Sequence, residues 1–359
     1  MEIIKQITVC FKPYERFGYF GWPSITKQAD GTLVVAASGL RFGHICPWGR
    51  SVVFKSRDNG ETWTEPLVVN NTPLDDRDTG IVSLGGKRLA ITWFTSNTLN
   101  YWNKYKNPET GKWDDNLADG GAALDSWNKE MIEQNLGSFI RVSPDGEYWG
   151  PTLRAPVNAP HGFIVLKDGS WLYLGKQWPT MQKGLQTAIS EEVPISAARS
   201  TDEGKTWTML GDVPNTIDVA NDTCESHVVE LDNGELLGSV RIHNPLRTLF
   251  TRSTDGGRTW STPEDPGFPG APAHLLKHSS GAIVCVVGYR FEPFGERARV
   301  SYDGGHAWSD DIILRDDAPN GDLGYPASVE LDDGSILTIY YHRLKIDQKC
   351  GIMGTIWRV

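Results

Sequence analysis

Apolar and polar positions along this chain alternate in one short unit that recurs six times. The unit is a run of Val, Ile, Leu and aromatic residues, a polar pair containing Gly, and a second such run. The copies are PSITKQADGTLVVAAS (Pro23 to Ser38), GIVSLGGKRLAITWF (Gly80 to Phe94), HGFIVLKDGSWLYLG (His161 to Gly175), SHVVELDNGELLGSVR (Ser226 to Arg241), AHLLKHSSGAIVCVVGYR (Ala273 to Arg290) and PASVELDDGSILTIYYHR (Pro326 to Arg343). Runs of this kind predict strands, and Asp-Gly, Asn-Gly, Ser-Gly or Gly-Gly between them predicts a tight turn. Each unit reads as a hairpin.

Five of the hairpins are followed by a second polar turn of fixed form, Ser-x-Asp-x-Gly-x-x-Trp. It occurs as KSRDNGETW (Lys55 to Trp63), RSTDEGKTW (Arg199 to Trp207), RSTDGGRTW (Arg252 to Trp260), VSYDGGHAW (Val300 to Trp308) and, one residue shorter, VSPDGEYW (Val142 to Trp149). Ser and Asp side chains accept turn amide hydrogens, Gly takes a positive φ, and Trp covers the turn with a large apolar face. That chemistry staples a hairpin, so its recurrence points to architecture rather than catalysis. Two hairpins in succession give about four antiparallel strands per module, and radial repetition of such modules builds a propeller. The predicted fold is all-β: a six-bladed β-propeller of four-stranded antiparallel blades, with residues 1–359 as one domain and no linker dividing it. The sixth module lacks the second turn. GIMGTIWRV (Gly351 to Val359) supplies one strand there, and EIIKQITV (Glu2 to Val9) is expected to add another, closing the ring and hiding its edges. An irregular insertion at about residues 97–137 breaks the rhythm, with a short helix expected around Ser126 to Glu133. Its aromatics, Tyr101, Trp102, Tyr105, Trp113 and Trp127, suit either the faces of sugars or the pinning of the loop itself.

A formal net charge of -10 argues against a broad nucleic-acid surface, although it leaves a local basic pocket open. The five cysteines are scattered, odd in number and without a CxxC pair, which reads as free thiols in a reducing compartment. No basic stretch leads into a long apolar run at the N-terminus, and nothing approaches the roughly 18 apolar residues of a membrane span. The expectation is a cytoplasmic protein without a membrane partner, or a secreted or periplasmic one if a leader has been trimmed. There is no phosphate-binding loop, HExxH, Gly-x-Ser-x-Gly elbow or cluster of metal ligands, so no cofactor and no metal are expected.

The Ser-x-Asp-x-Gly-x-x-Trp turn resembles the Asp box of the sialidase family, and with the six modules the resemblance extends over essentially the whole chain. It implies a sialidase-like propeller with a glycan or glycoside substrate, and its functional positions transfer one at a time. The family's Glu stands in an Asn-Glu-Ser-x-x-Val-Glu-Leu context, which TCESHVVEL matches at Glu225. An arginine of the substrate-carboxylate clamp ends the strand after that hairpin, and LLGSVRIHN provides Arg241. The family's tyrosine nucleophile precedes the last hairpin, where DLGYPASVELDDG places Tyr325. A further clamp arginine falls in GYRFEPFGERARVS, with Arg290 the better candidate and Arg297 the alternative.

Two positions depart from the family. Its initial Arg-Ile-Pro corresponds to FGWPS, with Gly21 at the arginine and Trp22 ahead of Pro23. Its general-acid aspartate belongs in the loop GLRFGHICPWGRS (Gly39 to Ser51), which holds no carboxylate; the position falls at or near His44. A tyrosine with a reference pKa near ~10 needs a base, and Glu225 is the candidate. Imidazole titrates near ~6.5, so His44 suits proton donation to a leaving group, a hydrogen bond to a substrate hydroxyl, or loop packing. Arg41 and Arg50 stand to replace charge lost at Gly21. Asp78 (in DDRDTG) and His161 (in NAPHG) occupy equivalent positions at the start of modules two and three, either facing the central funnel or capping turns. Two functions compete: a retaining exo-glycosidase acting on sialic acid or another sugar, and a carbohydrate-binding propeller without turnover. A protein-binding scaffold is the third reading.

Overall fold

Six antiparallel sheets stand around a common axis in the computed structural model, which describes residues 2–113, 118–177, 194–215 and 223–359. The innermost strands pack against one another, and each blade meanders outward from its own. Blade one runs Tyr19–Lys27, Leu33–Arg41, Arg50–Ser56, Leu67–Asn70, and blade two Asp75–Ser83, Leu89–Ser96, Ser138–Ser143, Leu153–Ala155. In blade three the inner strand is split into Val157–Asn158 and Ile164–Val165, before Trp171–Gln177, Ile195–Ser200 and Thr208–Asp212. Blade five runs Ala273–Lys277, Ile283–Tyr289, Gly295–Ser301, Ile312–Arg315. Blade six takes Gly324–Glu330, Ile336–His342 and Gly351–Arg358 and is completed by Glu2–Cys10, the strand from the other end of the chain, paired from Glu2 with Arg358 to Cys10 with Ile352. Both ends of the sequence are thereby held in one sheet.

Blade four departs from the expected four strands. After Thr223–Glu230, Leu236–Ile242 and Arg247–Ser253, its outer edge shrinks to a bridge between Phe250 and Glu264. Pro263, Pro266 and Pro269 surround that bridge, and proline has no amide hydrogen to extend a ladder.

In all five polar turns a Gly amide donates to the Ser hydroxyl and the Asp carboxylate accepts downstream amides, and in three of them (at Trp63, Trp207 and Trp260) the indole also donates to the Gly carbonyl. In the first, the Gly60 amide donates to Ser56 Oγ (2.9 Å), the Thr62 amide to Asp58 Oδ1 (2.9 Å), and Trp63 Nε1 to the Gly60 carbonyl (3.1 Å). These bonds hold the Asp58 carboxyl down at about 2, with the Thr62 side chain and amide as the main cause. Each Trp then packs on the blade before its own. Trp63 meets Leu337 and Ile339 of blade six, Trp149 meets Val34 and Val53 of blade one, and Trp260 meets Leu172 and Leu174 of blade three. The repeat is a mortar between blades. Trp260 is buried, so Trp260→Ala is expected to lower unfolding free energy by about 3 kcal/mol in chemical denaturation while leaving ligand affinity unchanged.

The insertion leaves blade two between its second and third strands and holds helices at Leu99–Asn103, Ala118–Asp125 and Lys129–Asn135. Trp102, Leu124, Trp127 and Ile132 form a small core with Leu74, packed against Phe42 and Ile45. These aromatics therefore pin the insertion onto the loop that carries His44, whereas Tyr101 and Tyr105 stay partly exposed. Among the described residues, no helix is long and apolar enough to cross a membrane.

Candidate functional site

Four inner strands carry the same irregularity at the same place. The register slips between Gly21 and Ser24, Arg77 and Gly80, Cys224 and His227, and Gly324 and Ala327. The first residue inside each bulge has a positive φ: Trp22 (52°), Asp78 (47°), Glu225 (44°) and Tyr325 (49°). Left-handed backbone at non-glycine residues is costly, and bulges re-aim side chains. Here they bring groups from blades one, two, four and six together.

Tyr325 donates its hydroxyl hydrogen to Glu225 Oε1, and Arg241 Nη1 donates to Glu225 Oε2 and lies 3.4 Å from the Tyr325 oxygen. Burial alone would raise the Glu225 carboxyl, but Arg241, the tyrosine hydrogen bond and Arg290 outweigh it and hold it below the usual range. Burial, followed by the charges of Glu225 and Asp78, pushes the Tyr325 phenol well up. The resting proton is on the tyrosine, with an ionised base already bonded to it. Arg290 lies over the Tyr325 ring (5.6 Å) and donates Nε and Nη2 to the Leu323 carbonyl. Arg297 bonds instead to the carbonyls of Pro293, Glu296 and Arg315, away from this group.

Trp22, not Gly21, holds the bulge position equivalent to Tyr325 and Glu225. A side chain at Gly21 would have its Cβ 3.2 Å from the Tyr19 ring. The buried Trp22 indole lies 6.3 Å from the Tyr325 ring and 4.9 Å from His44, with the guanidinium groups of Arg41 (4.8 Å) and Arg77 (4.4 Å) over it. His44 is 47% exposed; its Nδ1 sits 2.9 Å from Asp322 Oδ1, and Tyr19 donates to the same oxygen at 3.0 Å. Asp322 also takes Arg343 Nη2 (2.6 Å), and its carboxyl is held at about 2 against the raising effect of burial. An ionised carboxylate only accepts, so His44 Nδ1 carries the hydrogen that bonds Asp322, which leaves Nε2 as the other titrating nitrogen. Desolvation by the surrounding protein, incomplete at a side chain that is 47% exposed, joins Arg77 and Arg41 in lowering the His44 pKa despite Asp322.

Other expected residues go elsewhere. Arg41 is fully buried, and its donors are consumed by Asp75 (2.6 and 2.9 Å), Ser38 Oγ and the carbonyls of Gly43, His44 and Asp76. It shapes the loop and has none of its five N–H groups left for a substrate. Arg50 reaches Asn71 on the outer side of blade one (3.3 Å) and does not join the group, because it begins the third strand rather than the first. Asp78 does: burial raises its carboxyl to about 7, Glu225 adds to that, and Oδ1 has no hydrogen-bond partner.

His161 is buried in a trio with His227 and His274, at ring separations of 5.5 Å (His161 to His227), 4.9 Å (His161 to His274) and 4.3 Å (His227 to His274). Burial lowers all three imidazoles, His227 to about 3. A depressed folded pKa contributes stability that is full above the unfolded value near ~6.5 and is lost as pH falls toward 3. Between pH 7 and 4 the unfolding free energy of the wild type is expected to fall about 3 kcal/mol more than that of His227→Gln. Equal losses would remove His227 from the acid response. Among the described residues, no group of three or more His, Cys, Asp or Glu is arranged to hold a metal.

Sequence reasoning missed Asp322, Arg77 and Asp75. Asp75 and Arg77 both precede Asp78 in DDRDTG, and Asp322 stands three residues before Tyr325, so proximity to marked residues is the available signal.

The BNR repeat-like domain family matches residues 121–339. A sialidase of Paraclostridium sordellii is 27% identical over 261 residues, covering 67% of this chain and 57% of that relative. A sialidase of Clostridium perfringens is 23% identical over 254 residues, covering 67% and 60%. The chain thus spans less than two thirds of the length of these curated relatives. Among solved structures, a Dyadobacter fermentans protein of unknown function aligns over 100% of this chain and 99% of its own at TM-score 0.76 and 22% identity. A Hadza microbial sialidase aligns over 96% and 66% at TM-score 0.64 and 14% identity.

Proposed function

Because the chain belongs to the BNR repeat-like domain family of sialidase-like six-bladed propellers, we propose that it is a retaining glycosidase that removes a terminal acidic sugar. The observation that carries the reading is the buried Tyr325 hydroxyl bonded to the ionised Glu225, with Arg241 reaching both. Tyr325 oxygen attacks the anomeric carbon while its proton passes to Glu225 Oε1. The glycosidic bond breaks, and protonated His44 gives its Nε2 hydrogen to the departing oxygen. Neutral His44 then takes a proton from water, which attacks the glycosyl-tyrosine, and Glu225 returns its proton to the leaving phenolate. Arg241 offsets charge on the phenolate in both steps. Arg241 and Arg290 suit a carboxylate on the sugar by the geometry of their guanidinium groups.

A panel of sialosides, other acidic glycosides and neutral glycosides tests this, with the first-formed product anomer followed by proton NMR. Hydrolysis of an acidic member with retention is expected; inversion rules out a tyrosine-linked path. One observation favours a second reading, a binder without turnover: the loop from Gly39 to Ser51 holds no carboxylate. Saturable binding with no hydrolysis across the panel selects the binder.

A further inference from the structure

We propose that Arg77 is a specificity-determining residue, contacting the acidic group of the bound sugar. The inference rests on the glycosidase reading for the place of the sugar, and adds a residue that neither the repeat nor the family motif marks.

The Arg77 side chain is only 12% exposed, and among the described residues its one ion pair is a 3.8 Å approach to Asp75 Oδ2. No hydrogen bond engages its guanidinium among the described residues. Asp75 has little left to offer it, because its oxygens already take Arg41 at 2.6 and 2.9 Å and the amides of Gly49 (3.2 Å) and Cys46 (3.4 Å). A guanidinium with five donors, largely removed from water and without acceptors, carries a desolvation cost that a bound anion would relieve. Its position is suitable: it lies over the Trp22 ring, which is 6.3 Å from the ring of Tyr325, and its charge is felt by both Asp78 and His44.

The balance of charge points the same way. Arg41 is matched by Asp75 and Arg241 by Glu225. Burial keeps Glu296, beside Arg290, well above the usual carboxylate range and therefore neutral, and it raises Asp78 to about 7. Arg77 and Arg290 remain without a full counter-charge, in a chain whose formal net charge is -10. A neutral sugar would leave both cations unanswered; a planar carboxylate fits a guanidinium fork. The competing role is purely structural, a cation resting on Trp22.

Calorimetric titration of the full chain with a 2,3-unsaturated nonulosonic acid and with its methyl ester separates these roles. The wild type should bind the acid at least about tenfold more tightly than the ester, a difference of about 1.4 kcal/mol. Arg77→Met should bring the two within about threefold by weakening the acid alone, and Arg77→Lys, a point charge without the fork, should fall between. A structural role would weaken both ligands together. If the wild type discriminates and Arg77→Met discriminates equally, the acidic-sugar reading stands and Arg77 is excluded. If the wild type binds neither ligand, that reading falls and Arg77's role falls with it. Thermal melting checks folding; should Arg77→Met not fold, an unchanged acid-to-ester ratio in Arg77→Lys overturns the proposal.

Discussion

Tyr325→Phe is expected to abolish turnover: on any glycoside that the wild type hydrolyses, kcat should fall at least about 10³-fold, the scale on which nucleophiles are lost. The substitution removes one oxygen and keeps the ring against Trp22 and Tyr341. The hydroxyl it deletes is donor to Glu225, yet Glu225 retains Arg241, so the buried carboxylate is not orphaned. The stability cost should therefore stay near that of one charged hydrogen bond, about 1–3 kcal/mol, and a melting curve separates it from the catalytic loss. Affinity for the unsaturated acid should change only a few fold, because the proposed function assigns binding to the arginines and attack to Tyr325. A variant retaining more than a tenth of wild-type kcat would rule out attack by Tyr325 and transfer the task to water.

The fold was legible because propeller architecture repeats its chemistry. Asp58, Asp202 and Asp255 each bond a Thr four residues on, and their Trp residues face the preceding blade, so local pattern and global packing agree. The first and last strands were legible as partners because each lacked one. The weak outer strand of blade four was not expected, although its prolines were in view. The candidate site was legible in part. Glu225, Arg241 and Tyr325 sit in recognisable contexts, and the structure brings their side chains into contact. What alignment of motifs hides is register within a bulge. Motif alignment assigns Gly21 the arginine position, but the slip in pairing puts Trp22 at the bulge position that Tyr325 and Glu225 hold in their blades. Partners distant in sequence were equally hidden, since His44 and Asp322 lie 278 residues apart and meet only because the ring closes. Arg41 looked available because composition shows a charge without its acceptors. Asp75, which takes it, stands in the next blade.

His44→Ala separates leaving groups. On a natural alcohol leaving group the variant should lose about 10²–10⁴ in kcat/KM, the usual value of proton donation, whereas an activated aryl glycoside should lose less than about tenfold. The reason is that a phenolate of low pKa departs without a proton and an alkoxide does not. The geometry assigns the proton to Nε2, because Nδ1 is held at 2.9 Å by Asp322 and the ring is nearly half exposed. The acid form must be present, which sets the sign of the pH dependence. Burial lowers the His44 pKa below its ordinary 6.5, so the protonated fraction falls as pH rises through a value under that. Wild-type kcat/KM on the alcohol leaving group should accordingly be greatest in mild acid and decline toward neutrality, while the aryl substrate gives a flatter profile over the same range. His44→Ala should flatten the first profile to match the second. The acid limb is bounded separately: protonating Glu225, whose carboxyl lies below the usual range, would disable the base well under the working window. Equal losses on both leaving groups would assign His44 to positioning. The leaving-group proton would then have to come from another group, and Asp78, the buried carboxyl raised to about 7 beside Glu225, is the next to be substituted.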